Sequence, residues 1–153
     1  METKKILSAT LVGTTAMTLF SYLLSLKVKK NFTEPELLHE IAQENLPDVD
    51  DDIVKPASWA THYGVGLAFT GAYSQVWEHT SIKPSIASGA VLGALSGAAG
   101  IMGWSQAFKL EQHPHSSKFR KQYYTQLMAA HIVFGIGAAI GYKMLSKNKK
   151  LIS

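Results

Sequence analysis

The sequence predicts an all-α integral membrane protein, a four-helix bundle with up-down-up-down topology. Two observations carry this prediction. Long apolar segments alternate with short charged ones along the chain. Within each apolar segment no charged face recurs every second turn, as it does in helices of water-soluble bundles. The length of 153 residues fits a single transmembrane domain covering residues 1–153.

Four apolar segments are long enough to cross a bilayer as helices. They cover residues 6–26, 59–77, 86–104 and 127–145. At about 1.5 Å per residue, each approaches the roughly 30 Å thickness of a hydrocarbon core. The first segment is longer than the apolar region of a signal peptide and is followed by no small-x-small cleavage pattern. We therefore interpret it as a retained helix.

Four crossings divide the connecting segments between two sides of the membrane. The termini and the loop at 78–85 share one side, and the loops at 27–58 and 105–126 share the other, called side A. Lys and Arg number seven on the first side and eight on side A, which is too even to set the orientation. The net charge of +4 comes from residues that flank helices. The bilayer is therefore the predicted partner, and nucleic acid is not.

A short amphipathic helix is predicted between the first two spans, at about residues 34–46. Thr33 and Glu36 match a capping box, and Leu37 and Ile41 follow at helical spacing. The segment is acidic, so anionic lipid would repel it. We expect this interfacial helix to pack on its own bundle.

Small residues recur every four positions in the third segment and again in the fourth. The third has Gly89, Gly93 and Gly97, and the fourth has Gly137 and Gly141. Lipid tails provide no hydrophobic drive for helix association, so helices in a bilayer associate by close packing at small residues. We expect these glycines to pack helices within one chain. A homo-oligomer or a membrane complex remains an alternative.

Ionisable residues concentrate on side A. His62 and His131 lie near the same end of two helices that run in the same direction, and His113 and His115 lie in a side A loop. Glu78 ends a polar stripe that begins at His62. Ionisable groups within the hydrocarbon are costly and face a bundle interior or a wet cavity. These five residues are the candidate proton-responsive or ligand-binding positions.

Three interpretations of the histidines stay open. They are hydrogen-bonding residues at the interface with no special task, or they gain charge in mild acid and shift helix packing. Alternatively, paired histidines bind haem or a transition metal, with Glu111 as an oxygen ligand. The chain has no Cys, and its histidines match no tight metal motif. The identity of any metal is unknown at this point.

The order of several residues resembles a known family. His62-x-x-x-Gly66 is followed by Phe69, Tyr73, Pro84, Gly89-x-x-x-Gly93, Pro114 and His131-x-x-Phe134-Gly135. This order resembles the YagU-like family of uncharacterised small bacterial inner-membrane proteins, which is associated with acid resistance. The resemblance implies a multi-pass protein of the bacterial inner membrane that is linked to acid tolerance. The chain departs from the family in its length and in the acidic loop at 34–52.

The sequence favours no enzyme. It has no nucleophile and base at a recognisable spacing, no phosphate-binding Gly loop after a strand, and no carboxylate pair within the membrane. The predicted function is proton sensing or acid tolerance through histidines on one membrane face. Haem or metal binding, and a structural role in a membrane complex through the Gly-rich helices, are the alternatives.

Overall fold

The computed structural model describes residues 2–147, and these residues form five α-helices and no strand. The prediction of an all-α chain is confirmed. The helices are α1 (Glu2–Val28), α2 (Glu34–Asn45), α3 (Asp51–His79), α4 (Ile86–Ala107) and α5 (Ser117–Lys147).

The long helices extend beyond the predicted apolar segments, because hydropathy marks only the part of a helix suited to hydrocarbon. Helix α3 begins at Asp51, well before residue 59. Asp50 caps it by accepting a hydrogen bond from the Asp52 backbone N–H at 3.0 Å. Helix α4 begins where predicted, at Ile86, because Ser85 and Ser88 form a reciprocal capping box there.

Three helices are long and apolar enough to cross a membrane, namely α1, α4 and α5. They indicate a membrane protein. Helix α3 has 29 residues and is long enough, but within residues 2–147 it is not among the candidate spans. The predicted span at 59–77 lies inside it, and polar side chains such as His62 and Gln75 reduce its apolar character. Only three of the four predicted spans are therefore supported by length and composition.

The distribution of residues in α4 is the reverse of that in a water-soluble helix. Gly93 and Ser96 are buried against the other helices. Val91, Leu95 and Met102 point outward and are 61–67% exposed. A surface of large aliphatic side chains is unfavourable in water and suits lipid tails. Small and weakly polar residues pack inside because helices in lipid associate by close contact.

Helix α5 lies between α1 and α4 and runs antiparallel to both. A Cβ atom added at Gly135 would lie 2.8 Å from Gly93 Cα, and one at Gly89 would lie 2.9 Å from Ala139 Cβ. Such distances leave no space for a side chain, so α4 and α5 touch backbone to backbone.

Helix α1 contacts the other face of α5. A Cβ atom at Gly141 would lie 3.0 Å from Ala9 Cα, and one at Gly137 would lie 3.1 Å from Gly13 Cα. At the other end of the pair, Gln126 Nε2 donates a hydrogen bond to Ser21 Oγ at 2.6 Å. The small residues of α5 therefore serve two interfaces on opposite faces of the same helix.

Helix α3 runs antiparallel to α1 and joins it through polar side chains. Thr10 and Thr70 share a buried hydroxyl–hydroxyl hydrogen bond of 2.6 Å, and Lys5 Nζ lies 2.8 Å from Glu78 Oε1. On the side of α4, Tyr73 donates its hydroxyl to the Leu92 carbonyl at 3.0 Å. These three contacts place α3 across the bundle from α5.

Helix α2 packs onto one end of the bundle, as expected for an acidic amphipathic helix. Leu37 and Ile41 belong to the hydrophobic core. The capping box was predicted wrongly, because Thr33 occupies the N-cap position but its side chain makes no capping hydrogen bond. Pro35 lies in the first turn, where the missing N–H carries no cost.

The α4–α5 contact generates a prediction. Gly93→Ala should lower the thermal unfolding midpoint of the purified protein, because the new Cβ would meet the His131 carbonyl oxygen and lie 2.9 Å from Ile132 Cα. Overpacking of this kind costs about 1–3 kcal/mol. Gly71→Ala is the matched control, since a Cβ there meets nothing within 4 Å. Equal midpoints for the two variants would contradict the close contact.

Candidate functional site

A cavity of about 290 Å³ lies at the α2 end of the bundle. All five helices contribute to its wall, which is mainly apolar. Its polar groups belong to the side chains of His62, His131, Glu34, Thr14 and Thr61 and to the indole N–H of Trp104. The remaining lining residues are Met17, Leu38, Val65, Gly66, Phe69, Ala99, Gly100, Gly103, Ala107 and Phe134.

Small residues of α4 create this space. Ala99, Gly100, Gly103 and Ala107 line the cavity on successive turns, so Trp104 is the one large side chain that α4 contributes to the wall. A Cβ at Gly103 would meet nothing within 4 Å. The same abundance of glycine that brings α4 against α5 at Gly93 therefore leaves a void further along the helix.

His131 is buried in the cavity wall with a defined tautomer. Its Nδ1 lies 2.9 Å from the Leu127 carbonyl oxygen, which can only accept, so Nδ1 carries the hydrogen. Its Nε2 then bears a lone pair. The ring packs against Gly100, where an added Cβ would lie 2.8 Å from the ring Cε1. Glycine at position 100 thus makes room for the imidazole.

His62 also has a defined tautomer. Its Nε2 lies 2.9 Å from Thr18 Oγ1. The Thr18 hydroxyl donates its one hydrogen to the Thr14 carbonyl at 2.8 Å, so Thr18 accepts from His62. His62 therefore carries its hydrogen on Nε2 and a lone pair on Nδ1. Within residues 2–147, no protein group donates a hydrogen bond to His62 Nδ1 or to His131 Nε2.

Glu34 is the third ionisable group of the cavity. Sequence analysis placed it on an acidic interfacial helix but did not select it as a site residue. It is 3% exposed. Its Oε1 accepts a hydrogen bond from Ser21 Oγ at 2.8 Å, while Oε2 has no partner among the described residues. A signal was present, because Glu34 shares a helical face with Leu37 and Ile41, at spacings of three and seven residues.

Burial raises the pKa of Glu34 from 4.5 to about 7. Hydrogen bonds to its own backbone N–H, to Ser21 and to Gln126 act in the opposite direction and do not cancel this effect. The other titratable groups near it are Tyr123, which is buried beside it, and the two cavity histidines. Glu34 therefore changes charge near neutral pH although its side chain is buried.

The loop histidines do not join the cavity. His113 Nδ1 lies 3.1 Å from Glu44 Oε1, and His115 Nδ1 lies 2.5 Å from Glu111 Oε1. The backbone N–H of Gln112 and the nearby His113 hold the pKa of Glu44 below its usual value. Each loop histidine is thus paired with its own carboxylate.

Glu78 lies at the opposite end of the bundle from the cavity. Besides Lys5, it contacts Tyr142, whose hydroxyl donates to Glu78 Oε1 at 2.7 Å. Glu78 therefore joins the ends of α1, α3 and α5. Of the five candidate proton-responsive or ligand-binding residues, only His62 and His131 lie together, in the wall of the cavity.

The part of the chain that the structure describes contains no group of three or more His, Cys, Asp or Glu residues that could hold a metal ion. The two cavity histidines offer at most a pair of imidazole ligands. Metal and haem binding stay predictions.

In comparisons with known proteins, no family model, no curated protein and no solved structure matches this chain.

Glu34 generates a prediction for stability against pH. Its pKa in the folded protein, about 7, exceeds the unfolded value of 4.5. The favourable contribution of Glu34 to the free energy of unfolding is therefore fully present below pH 4.5 and is lost as the pH rises through 7. The loss amounts to roughly 3 kcal/mol. Glu34→Gln should therefore be more stable than the wild type at pH 8, with little difference at pH 4.5.

Thermal unfolding midpoints measured from pH 4.5 to pH 8 test this expectation. Glu40→Gln is the control, because Glu40 is exposed on the same helix. A wild type and a Glu34→Gln variant with parallel pH profiles would contradict the buried titration.

Proposed function

We propose that this chain is a membrane protein that binds a small amphipathic molecule between its helices. The supporting observation is the mainly apolar cavity of about 290 Å³ in which His62, His131 and Glu34 are the ionisable lining residues. Small-molecule sites in proteins combine apolar walls with a few polar groups in this way. Glu34 Oε2 and Thr14 Oγ1 are buried without a hydrogen-bond partner among the described residues, and a bound polar group would satisfy them.

The proposed architecture is a four-helix bundle with up-down-up-down topology, in which α3 crosses the membrane in addition to α1, α4 and α5. Two features of α3 support its insertion. Its polar residues Thr70 and Ser74 are fully buried inside the bundle, whereas Val65 and Leu67 are 50% and 43% exposed. A helix with its polar groups turned inward suits lipid despite a modest mean hydropathy.

Location in a bacterial inner membrane and membership of the YagU-like family belong to the same proposal. They depend on the resemblance over residues 62–135. His131 is buried and His62 is half-buried. Both carry the resemblance and both line the cavity, which is compatible with a role for them.

Proton sensing, linked to acid tolerance, is a second candidate function, and the specific observation that favours it is Glu34. Its pKa of about 7 means that mild acid changes the charge inside the cavity, beneath α2. Such a change would alter the packing of α2 on the bundle. The pH profile of Glu34→Gln described above also tests this candidate, since a flat wild-type profile would remove its basis.

The cavity generates a binding prediction. The protein in lipid nanodiscs should bind one molecule of 1-decanol, detected by native mass spectrometry. Gly103→Phe should abolish this binding, because the new ring extends from a cavity wall where a Cβ meets no atom.

Gly64→Phe is the matched control. Gly64 is exposed, a Cβ there also meets nothing within 4 Å, and the residue is not in the cavity wall. Its binding should equal that of the wild type. Equal decanol binding by all three proteins would contradict the proposed site.

The proposed crossing of the membrane by α3 generates a topology prediction. If α3 crosses the bilayer, a compartment-sensitive reporter inserted at residues 48–50 and one inserted at residues 81–83 report opposite sides. These insertions lie in the loops on either side of α3. Reporters on the same side would contradict a crossing by α3.

A further inference from the structure

We propose that the ligand of this cavity is a lipophilic amine, and that it enters from the bilayer through an opening between α3 and α4. This inference rests on the proposed function and names its ligand class. It depends on the hydrogen-bond acceptors in the cavity wall, on the absence of Lys and Arg from the described wall, and on the exposed part of the wall between α3 and α4.

The polar wall offers mainly acceptors. The hydrogens of His62 and His131 are already used in bonds to Thr18 and to the Leu127 carbonyl. Each imidazole therefore presents only a lone pair, on Nδ1 and Nε2 respectively. The Thr61 hydroxyl donates to the Ala57 carbonyl at 2.8 Å, so its oxygen is also left to accept.

The charge of the wall has one sign. The lining includes Glu34, and no Lys or Arg among the described residues contributes to it. A carboxylate or phosphate ligand would meet no cation and would be repelled by ionised Glu34. An ammonium group would find a counter-charge and several acceptors, and charge-assisted hydrogen bonds are about twice as strong as neutral ones. When the histidines are neutral and Glu34 is ionised, the only lining side chains with a hydrogen to donate to a ligand are the Thr14 hydroxyl and the Trp104 indole.

The cavity reaches the outside of the bundle between α3 and α4. Thr61 and Val65 on α3 and Ala99 and Gly103 on α4 line the cavity and are exposed. The hydrogen bond from the Tyr73 hydroxyl to the Leu92 carbonyl joins α3 and α4 beyond this opening, on the side away from α2. With α3 and α4 in the membrane, the opening faces lipid tails. A ligand with an apolar chain could therefore enter sideways, with its polar end toward the histidines.

A matched series of ligands tests the assignment of the polar end. Decylamine, 1-decanol, decanoate and decyltrimethylammonium share one chain and differ in charge and in hydrogen-bond donors. At pH 8, in nanodiscs of neutral lipid, decylamine should bind at least about tenfold more tightly than decanoate, the factor expected for one charge-assisted hydrogen bond. Decyltrimethylammonium, which cannot donate, should bind more weakly than decylamine.

Variants assign the charge to Glu34. Glu34→Gln should weaken decylamine binding about tenfold, whereas Glu40→Gln should leave it unchanged. Decanoate binding as tight as decylamine binding would overturn the amine assignment and leave the cavity as a binding site. Failure of all four ligands, 1-decanol included, would instead overturn the proposed function.

The route of entry has its own test. Ala99→Trp places a large side chain at the opening and should slow association of decylamine from lipid at least about tenfold. Ala98→Trp is the control, since Ala98 is exposed on the same helix but does not line the cavity. Equal association rates for the two variants would show that the ligand does not enter between α3 and α4.

Discussion

The close contact of α5 with α4 on one face and with α1 on the other is the constraint on which the rest of the structure depends. Gly135 lies against Gly93, and Gly141 lies against Ala9, at distances that leave no room for a Cβ atom. In lipid this contact must come from packing and not from removal of apolar surface from water. This contact fixes α5 at the centre of the bundle, and every residue of the candidate site is positioned relative to α5.

Close packing and the cavity come from the same property of α4. Where glycine of α4 faces α5, the backbones touch, and where glycine and alanine of α4 line the cavity, they leave space unfilled. Only a few cavities larger than a water molecule are found in a typical folded domain. A cavity whose wall includes two imidazoles and a buried carboxylate is the part of the molecule most suited to a ligand.

The buried polar groups give this cavity its chemical character. His62 and His131 each donate a ring N–H to another protein group and keep a lone pair on the other ring nitrogen. Glu34, held by Ser21 and Gln126, combines burial with a pKa of about 7. The proposed ligand binding and the proposed proton response would therefore be coupled. A cation in the cavity would favour the ionised form of Glu34, and protonation of Glu34 would weaken the attraction for the cation.

The sequence by itself determined the all-α class, the approximate positions of the long helices and the helix at 34–45, since each depends on local periodicity and composition. It also selected His62 and His131 as residues at one depth. Only the tertiary structure decided that Glu34 is buried, that His113 and His115 pair with Glu44 and Glu111, and that Gly103 faces a void. These properties depend on which helix faces which, and periodicity within one helix carries no information about the neighbour that covers it.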